Sequence, residues 1–388
     1  MPLHITDLIV STDWDPQIET FLRNNDSNGA ISEIERLMKE DNSSHELIVQ
    51  KGMLLILSGD YESALEIFDS VLRSEPESTD ALLGKGISQY ILFQSDETQE
   101  IFQKVISLKP DYYRGLVNLG IILNVNGHYK EALKVFDHAI TLQGEPIEAW
   151  TGHALALNNL EEYDLALKSC NNAIKINPES FTAWLVKADI LENKVELKES
   201  LKAAKEATRI NPNHPLAWRT MGITLYGLNK FDEAIDALRQ SLLLDNDISG
   251  SWHALGLALL KNKEYTEALV AFDVQLSHDP EDIPALGNKG ITLYLLQKYK
   301  EARDVLLTAI EIKPSYVFGW NNLGLVYQAL GKKEEALKAY NAVIALDPSN
   351  IQANTNRNIL IEDKKMNQSV KSGKKGKKSS YSKREKTD

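Results

Sequence analysis

The sequence predicts an all-α protein, a solenoid of stacked antiparallel helix pairs. Three observations predict it. The six tryptophans (Trp14, Trp150, Trp184, Trp218, Trp252 and Trp320) are separated by 34 residues or whole multiples of 34. Cutting the chain at that interval from Ser11 to Asn350 gives ten blocks in register, with no insertion or deletion. Within the blocks, small residues, large apolar residues and proline return at fixed places. A unit of this length is a helix–turn–helix that cannot bury its apolar face alone, so neighbours stack and share a continuous core.

Each block is numbered from 1, and its elements follow in order. Position 4 is Trp, Leu or Ile throughout. Position 8 is Gly or Ala in every block except the first, where it is Ile18, and position 11 is Leu, Phe or Tyr except at Gln89. Steps of four and three put these positions on one face of a first helix, A. Glycine inside a helix costs about 1 kcal/mol relative to alanine. Its return at position 8 predicts close helix contact, with the small residue of position 20 facing it. Position 20 (Ala in eight of the ten blocks) and the bulky position 24, with position 27, build a second helix, B. A polar turn joins A to B, with an anchoring aromatic at position 17: Tyr61, Tyr129, Tyr163, Phe231, Tyr265 and Tyr299. Proline at position 32 in seven blocks ends helix B. Cys170 takes the place of a large residue at position 24 and reads as a small core side chain.

This pattern resembles the tetratricopeptide-repeat family over residues 11–350. Position 7 departs most often, with Lys51, Lys85, Lys187 and Lys289 where the family has leucine. Their aliphatic stems are expected to lie on apolar surface. The resemblance implies a right-handed superhelix whose A helices line the concave side, with positions 2, 5, 6, 9, 12 and 13 pointing into the groove. The candidate partner-binding residues are then Arg114, Asn118, Asn158, Arg219, Tyr226, His253, Asn288, Tyr294, Asn321 and Asn322. Asparagine bonds both the N–H and the C=O of an extended peptide. Position 9 carries an apolar stripe that includes Met53, Ile87, Ile121, Leu155, Ile223, Leu257, Ile291 and Leu325. It fits either a docked segment or packing between adjacent A helices. The family's clamp for a chaperone C-terminal carboxylate needs Lys at position 5 and Asn at position 9, and no block has either. A protein or peptide partner is expected, and that carboxylate is not.

The ends depart from the repeat, as solenoid ends do. Residues 1–10 form an extension, and 11–44 a divergent first repeat without the glycine and proline. After repeats 45–350, polar Asn354, Arg357 and Asn358 at buried-type positions mark a capping helix over about 351–365. Residues 366–388 are a Lys-rich tail, expected to be disordered. The stretch 364–388 has net charge +8, which leaves −20 on the rest of a chain whose total is −12. The tail is the only part suited to nucleic acid or an anionic membrane surface, and it also suits a purely solubilising role or folding back onto the acidic body. That recruitment role, through RNA or a membrane surface, is the alternative to a protein-interaction scaffold.

Nothing in the sequence points to catalysis. There is no phosphate-binding GxxxxGK[ST], no GxSxG and no CxxC, and no two histidines have the i, i+4 spacing of a helical zinc site. No cofactor and no metal are expected. One cysteine excludes an internal disulfide and fits a reducing compartment. The first 16 residues lack a secretory signal pattern, and no run approaches the roughly 18 apolar residues of a membrane span. A cytoplasmic location is expected. Within the array, block 181–214 is expected to be the weakest, because Ala188, Ser200 and Ala204 stand where Gly, Ala and Phe are usual.

Overall fold

The computed structural model describes residues 14–362 except 25, 42, 43, 95, 96, 143, 145 and 249. The N-terminal extension 1–10, the end of the cap at 363–365 and the Lys-rich tail 366–388 lie outside the described residues. Among the described residues there are helices and turns, and no strand.

The helices fall into two compact units, Met1–Asn211 and Pro212–Asp388. The first holds α1 (Pro16–Arg23), α2 (Ser27–Glu40), α3 (His45–Ser58), α4 (Tyr61–Ser74), α5 (Thr79–Phe93), α6 (Glu97–Leu108), α7 (Tyr113–Val125), α8 (Tyr129–Leu142), α9 (Ile147–Asn159), α10 (Tyr163–Ile176), α11 (Phe181–Asn193) and α12 (Leu197–Ile210). The second holds α13 (Pro215–Gly227), α14 (Phe231–Leu244), α15 (Ser251–Lys261), α16 (Tyr265–His278), α17 (Ile283–Leu295), α18 (Tyr299–Ile312), α19 (Val317–Ala329) and α20 (Lys333–Leu346). A last helix, α21, covers 351–362. Odd-numbered helices are the A helices and even-numbered ones the B helices. Within each unit an A helix packs on its own B helix, on the B helix before it and on the neighbouring A helices.

The core explains the repeat positions, with two corrections. The glycine at position 8 faces the side chain of position 24, not chiefly the small residue at 20. A Cβ on Gly52 would stand 2.6 Å from Phe68, one on Gly120 2.7 Å from Phe136, and one on Gly256 2.6 Å from Phe272. The tip of the ring continues to position 6 of the following repeat, where Gly84 meets Phe68 and Gly152 meets Phe136. Where position 24 is Cys170, position 6 of the next repeat is the larger Val186, and the two share one buried cluster. The second correction concerns position 17, whose aromatics are the first residues of the B helices, half-buried, and not part of the turn. The turn itself is carried by position 15, which is left-handed at Gly59, Gly127 and Gly331 and also at Glu161, Val195, Asn229, Lys263 and Gln297.

Tryptophan at position 4 has a polar task that apolar patterning does not show. Its indole N–H donates across the junction to the carbonyl of position 32: Trp184 to Pro178 at 2.8 Å, Trp218 to Pro212 at 2.7 Å, Trp252 to Asn246 at 2.8 Å and Trp320 to Pro314 at 2.8 Å. Asn354 of α21 repeats the bond, its Nδ2 donating to Pro348 at 3.2 Å. The proline that ends helix B therefore also presents an acceptor that fixes the next A helix.

The position-7 lysines do more than lay their stems on apolar surface. Each reaches position 25 of the preceding B helix: Lys51 to Glu35 at 2.8 Å, Lys85 to Asp69 at 2.7 Å, Lys187 to Asn171 at 2.8 Å and Lys289 to Asp273 at 2.7 Å. His153 does the same with Asp137 at 3.4 Å and also meets the Ser169 hydroxyl at 2.9 Å. Where position 7 is apolar, at Leu119, Met221, Leu255 and Leu323, position 25 of the previous block is Gln103, Lys205, Arg239 and Leu307, never an acid. Exposed pairs of this kind contribute at most about 1 kcal/mol each. Their consistent register ties each repeat to its neighbour.

Candidate interaction surface

The A-helix face of each unit carries the candidate residues, and burial separates them into two groups. Asn118, Asn158 and Asn322 are buried, at 0%, 7% and 4% exposure. Asn158 is engaged inside the fold, donating to Asp189 Oδ2 at 3.1 Å and accepting from Asn193 at 3.2 Å. It thereby links α9 to α11. Arg114, Arg219, Tyr226, His253, Asn288, Tyr294 and Asn321 are half-buried.

In the first unit Arg114 lies against the hydroxyl of Tyr112, which donates to Asp80. Burial, reinforced by Asp80, holds the Tyr112 phenol well above its ordinary range. Tyr113 likewise donates to Glu148 at 3.0 Å. Two acids of position 2, Asp80 and Glu148, are therefore matched by tyrosines within the unit.

In the second unit the stacked A helices bring His253, Asn288 and Asp282 together. Asn288 Nδ2 lies 3.3 Å from His253 Nε2, and Asp282 lies 3.7 Å from His253 Nδ1. Asp282 also caps α17 by accepting from Ala285 N–H at 2.8 Å. Tyr226 packs on Phe231 with ring centroids 5.8 Å apart, and Tyr294 on Tyr299 at 5.6 Å. The aromatics of positions 12 and 17 are thus paired, which steers the tyrosines of the A face. Burial raises the Tyr226 phenol above its ordinary range. Asn321 Oδ1 and Asn322 Nδ2 have no hydrogen-bond partner among the described residues. Leaving buried polar groups unmet costs about 1–3 kcal/mol each, so such neighbours mark a place where the fold alone does not satisfy its side chains.

The position-9 stripe behaves differently in the two units. Met53 and Ile87 are fully buried and Ile121 is 6% exposed, so this part of the stripe is closed, while Leu155, also in the first unit, is half-buried and is followed by Asp189. In the second unit Ile223, Leu257, Ile291 and Leu325 are all half-buried, on α13, α15, α17 and α19. Ile359 of α21 extends the row at the same 34-residue interval and is 51% exposed. Sequence reasoning missed Ile359 because the register was followed into the cap only at its polar positions.

Three family profiles match the chain: "Tetratricopeptide repeat" over 49–92, 151–215 and 219–282, "TPR repeat" over 290–331, and a second "Tetratricopeptide repeat" over 317–350. Together they cover more than half of it. The chain belongs to the tetratricopeptide-repeat family. No curated protein matches it as a relative. Among solved structures, this tetratricopeptide-repeat protein is similar to a chain of the APC/C hetero-tetramer Cut9–Hcn1, at 14% identity and a TM-score of 0.58 over 88% of this chain and 82% of that one. It is similar also to the human IFIT1 dimer with m7Gppp-AAAA, at 16% identity and a TM-score of 0.57 over 85% of this chain and 80% of that one. At these identities the likeness is one of fold. Tetratricopeptide-repeat folds generally mediate protein–protein interaction. Among the described residues no cluster of three or more His, Cys, Asp or Glu side chains is arranged to hold a metal ion. No described helix is long and apolar enough to cross a membrane.

Proposed function

We propose that this protein is a non-catalytic, cytoplasmic interaction scaffold that binds a peptide or helical segment of a protein partner along the A-helix face of its second unit. The carrying observation is the row Ile223, Leu257, Ile291, Leu325 and Ile359. It is apolar and partly open in five consecutive repeats, whereas in the first unit the row is buried at Met53, Ile87 and Ile121, half-open only at Leu155, and interrupted by Glu19 and Asp189. Beside the row stand Arg219, Tyr226, His253, Asn288, Tyr294 and Asn321, which supply donors, acceptors and aromatic surface. Aromatic residues and arginine dominate binding hot spots, and a row of apolar contacts at regular spacing suits an extended or helical segment. Of the other candidates, Arg114 belongs to a polar cluster in the first unit, and Asn118, Asn158 and Asn322 act from beneath the surface.

The test begins with affinity capture and mass spectrometry to obtain a partner. That partner is then titrated against wild type, Arg219→Ala/Asn321→Ala, and the B-helix control Lys338→Ala/Asn341→Ala. Lys338 and Asn341 are exposed on α20. The A-face pair is expected to weaken binding by about 1–3 kcal/mol per residue that the partner buries, while the control leaves it unchanged. The opposite result would move the partner to the B helices.

A further inference from the structure

The B-helix side of the second unit has one place where the repeat rule is broken twice. Position 22 is charged in eight of the other nine blocks and Ser32 in the first, yet it is Val270 in α16. Position 29 is polar or charged in eight of the other nine blocks and Ala345 in the last, yet it is Leu243 in α14. Both side chains are exposed, at 56% and 79%. They are not scattered: they line the same open cleft of about 390 Å³, together with Trp252 and Leu255 of α15. The Arg239–Glu267 ion pair, at 2.5 Å, stands on its rim. The chain is also irregular here, since α15 starts two residues later than the A helices on either side, behind a left-handed Gly250.

The helix surface beside the cleft is acidic. Arg239 is the only lysine or arginine on α14 and α16, and it is occupied by Glu267. Asp236 shares a helix face with Arg239 and Leu243, is exposed, and makes no ion pair among the described residues. Asp232, one turn earlier, is exposed and among the described residues accepts from the Asn262 amide. An apolar cleft beside an acidic helix surface fits an apolar or aromatic side chain flanked by lysine or arginine. Two exposed side chains fall far short of the roughly 800 Å² per partner that a stable dimer buries. So small a cleft suits a tethered segment, whose effective concentration is in the millimolar range, better than a free one.

This chain supplies such a segment. Tyr381 lies between Lys377 and Lys378 on one side and Lys383 and Arg384 on the other. It follows the end of α21 by 19 residues, a reach of up to about 65 Å. α16 and α21 are five helices apart, which at about 8–10 Å per packed pair is at most about 50 Å. We infer that the cleft between α14 and α16 is an intramolecular docking site for the basic C-terminal segment of this chain, with Tyr381 seated against Leu243, Val270 and Trp252.

The experiment uses the full chain with a photo-cross-linking phenylalanine analogue in place of Tyr381, and the cross-linked peptides are mapped by mass spectrometry. Cross-links are expected to concentrate on residues 231–278, in a yield that does not depend on protein concentration and falls in high salt. The variant Leu243→Arg/Val270→Lys restores residue types that other repeats carry at these exposed positions, so it keeps the fold, which circular dichroism verifies. It places two cations against a basic segment and is expected to lower the yield at least about tenfold. Cross-links scattered over the chain, or insensitive to this variant, would overturn the assignment. A yield that rises with protein concentration would overturn it too, because the occupant would then come from a second copy.

Discussion

At the scale of the residue, positions 8 and 24 set each other's size. Gly256 lies against Phe272 and Gly324 against Tyr340, whereas Ala154 and Ala188 share their blocks with Cys170 and Ala204. Gly256→Ala gains helix propensity worth about 1 kcal/mol, but it drives a Cβ to 2.6 Å from a fully buried ring. Overpacking costs about 1–3 kcal/mol, so a net loss of stability is expected. In a urea double-mutant cycle, Gly256→Ala/Phe272→Cys should cost less than the two single changes added together. Additivity would show that the two positions do not share space. Val195 makes the complementary case. It is a β-branched residue at φ 64°, 75% exposed, so it does not fill the space left by Ala204. Val195→Gly should raise stability by about 1 kcal/mol, and an unchanged denaturation midpoint would deny the strain. The apolar and glycine positions were legible because their spacing is rigid. The left-handed turn was not, because six non-glycine residues adopt positive φ there and in the neighbouring turn at Gln94, and they read as ordinary loop.

At the scale of the element, the helix pairs and their boundaries followed from period and proline, while the polar ties between repeats did not. The signal was present as a 16-residue spacing between position 7 and the acid or amide before it, but a residue standing where leucine belongs reads as a departure until its partner is in view. His153 is the member of this set that responds to pH. Burial holds its pKa below the ordinary imidazole range, against the opposing pull of Asp137. The unfolded chain therefore takes up the proton more readily than the folded one. The contribution of this site is fully present above the ordinary histidine value and is lost as pH falls through it toward the lower folded value. Between about pH 7.5 and 5.5, wild type should lose more stability than His153→Leu, a variant with the residue that Leu119, Leu255 and Leu323 place at position 7. Equal losses would mean that His153 titrates alike in both states.

At the scale of the whole molecule, a solenoid's stability is a sum over repeats and their interfaces, so it opens locally. Block 181–214 has Ala204 in place of a ring, and its buried Ser200 hydroxyl bonds the Ala188 carbonyl at 2.9 Å. Its amides should exchange with solvent faster than those of block 249–282, where Phe272 fills the same place, and equal protection would count against the missing ring as the cause. The array was legible from the sequence, and the accessible part of its A face was not. Met53 and Ile291 occupy the same repeat position with similar chemistry, yet one is buried and the other half-open, a difference that the repeat position alone does not carry. The claim that the open row of the second unit receives the partner is tested most directly by hydroxyl-radical footprinting of the free and bound protein. Slower oxidation of Tyr226, Ile291, Tyr294, Leu325 and Ile359 on binding, with Leu346 of α20 unchanged, is the predicted result. Protection confined to the B helices, with those five side chains unaffected, would contradict it.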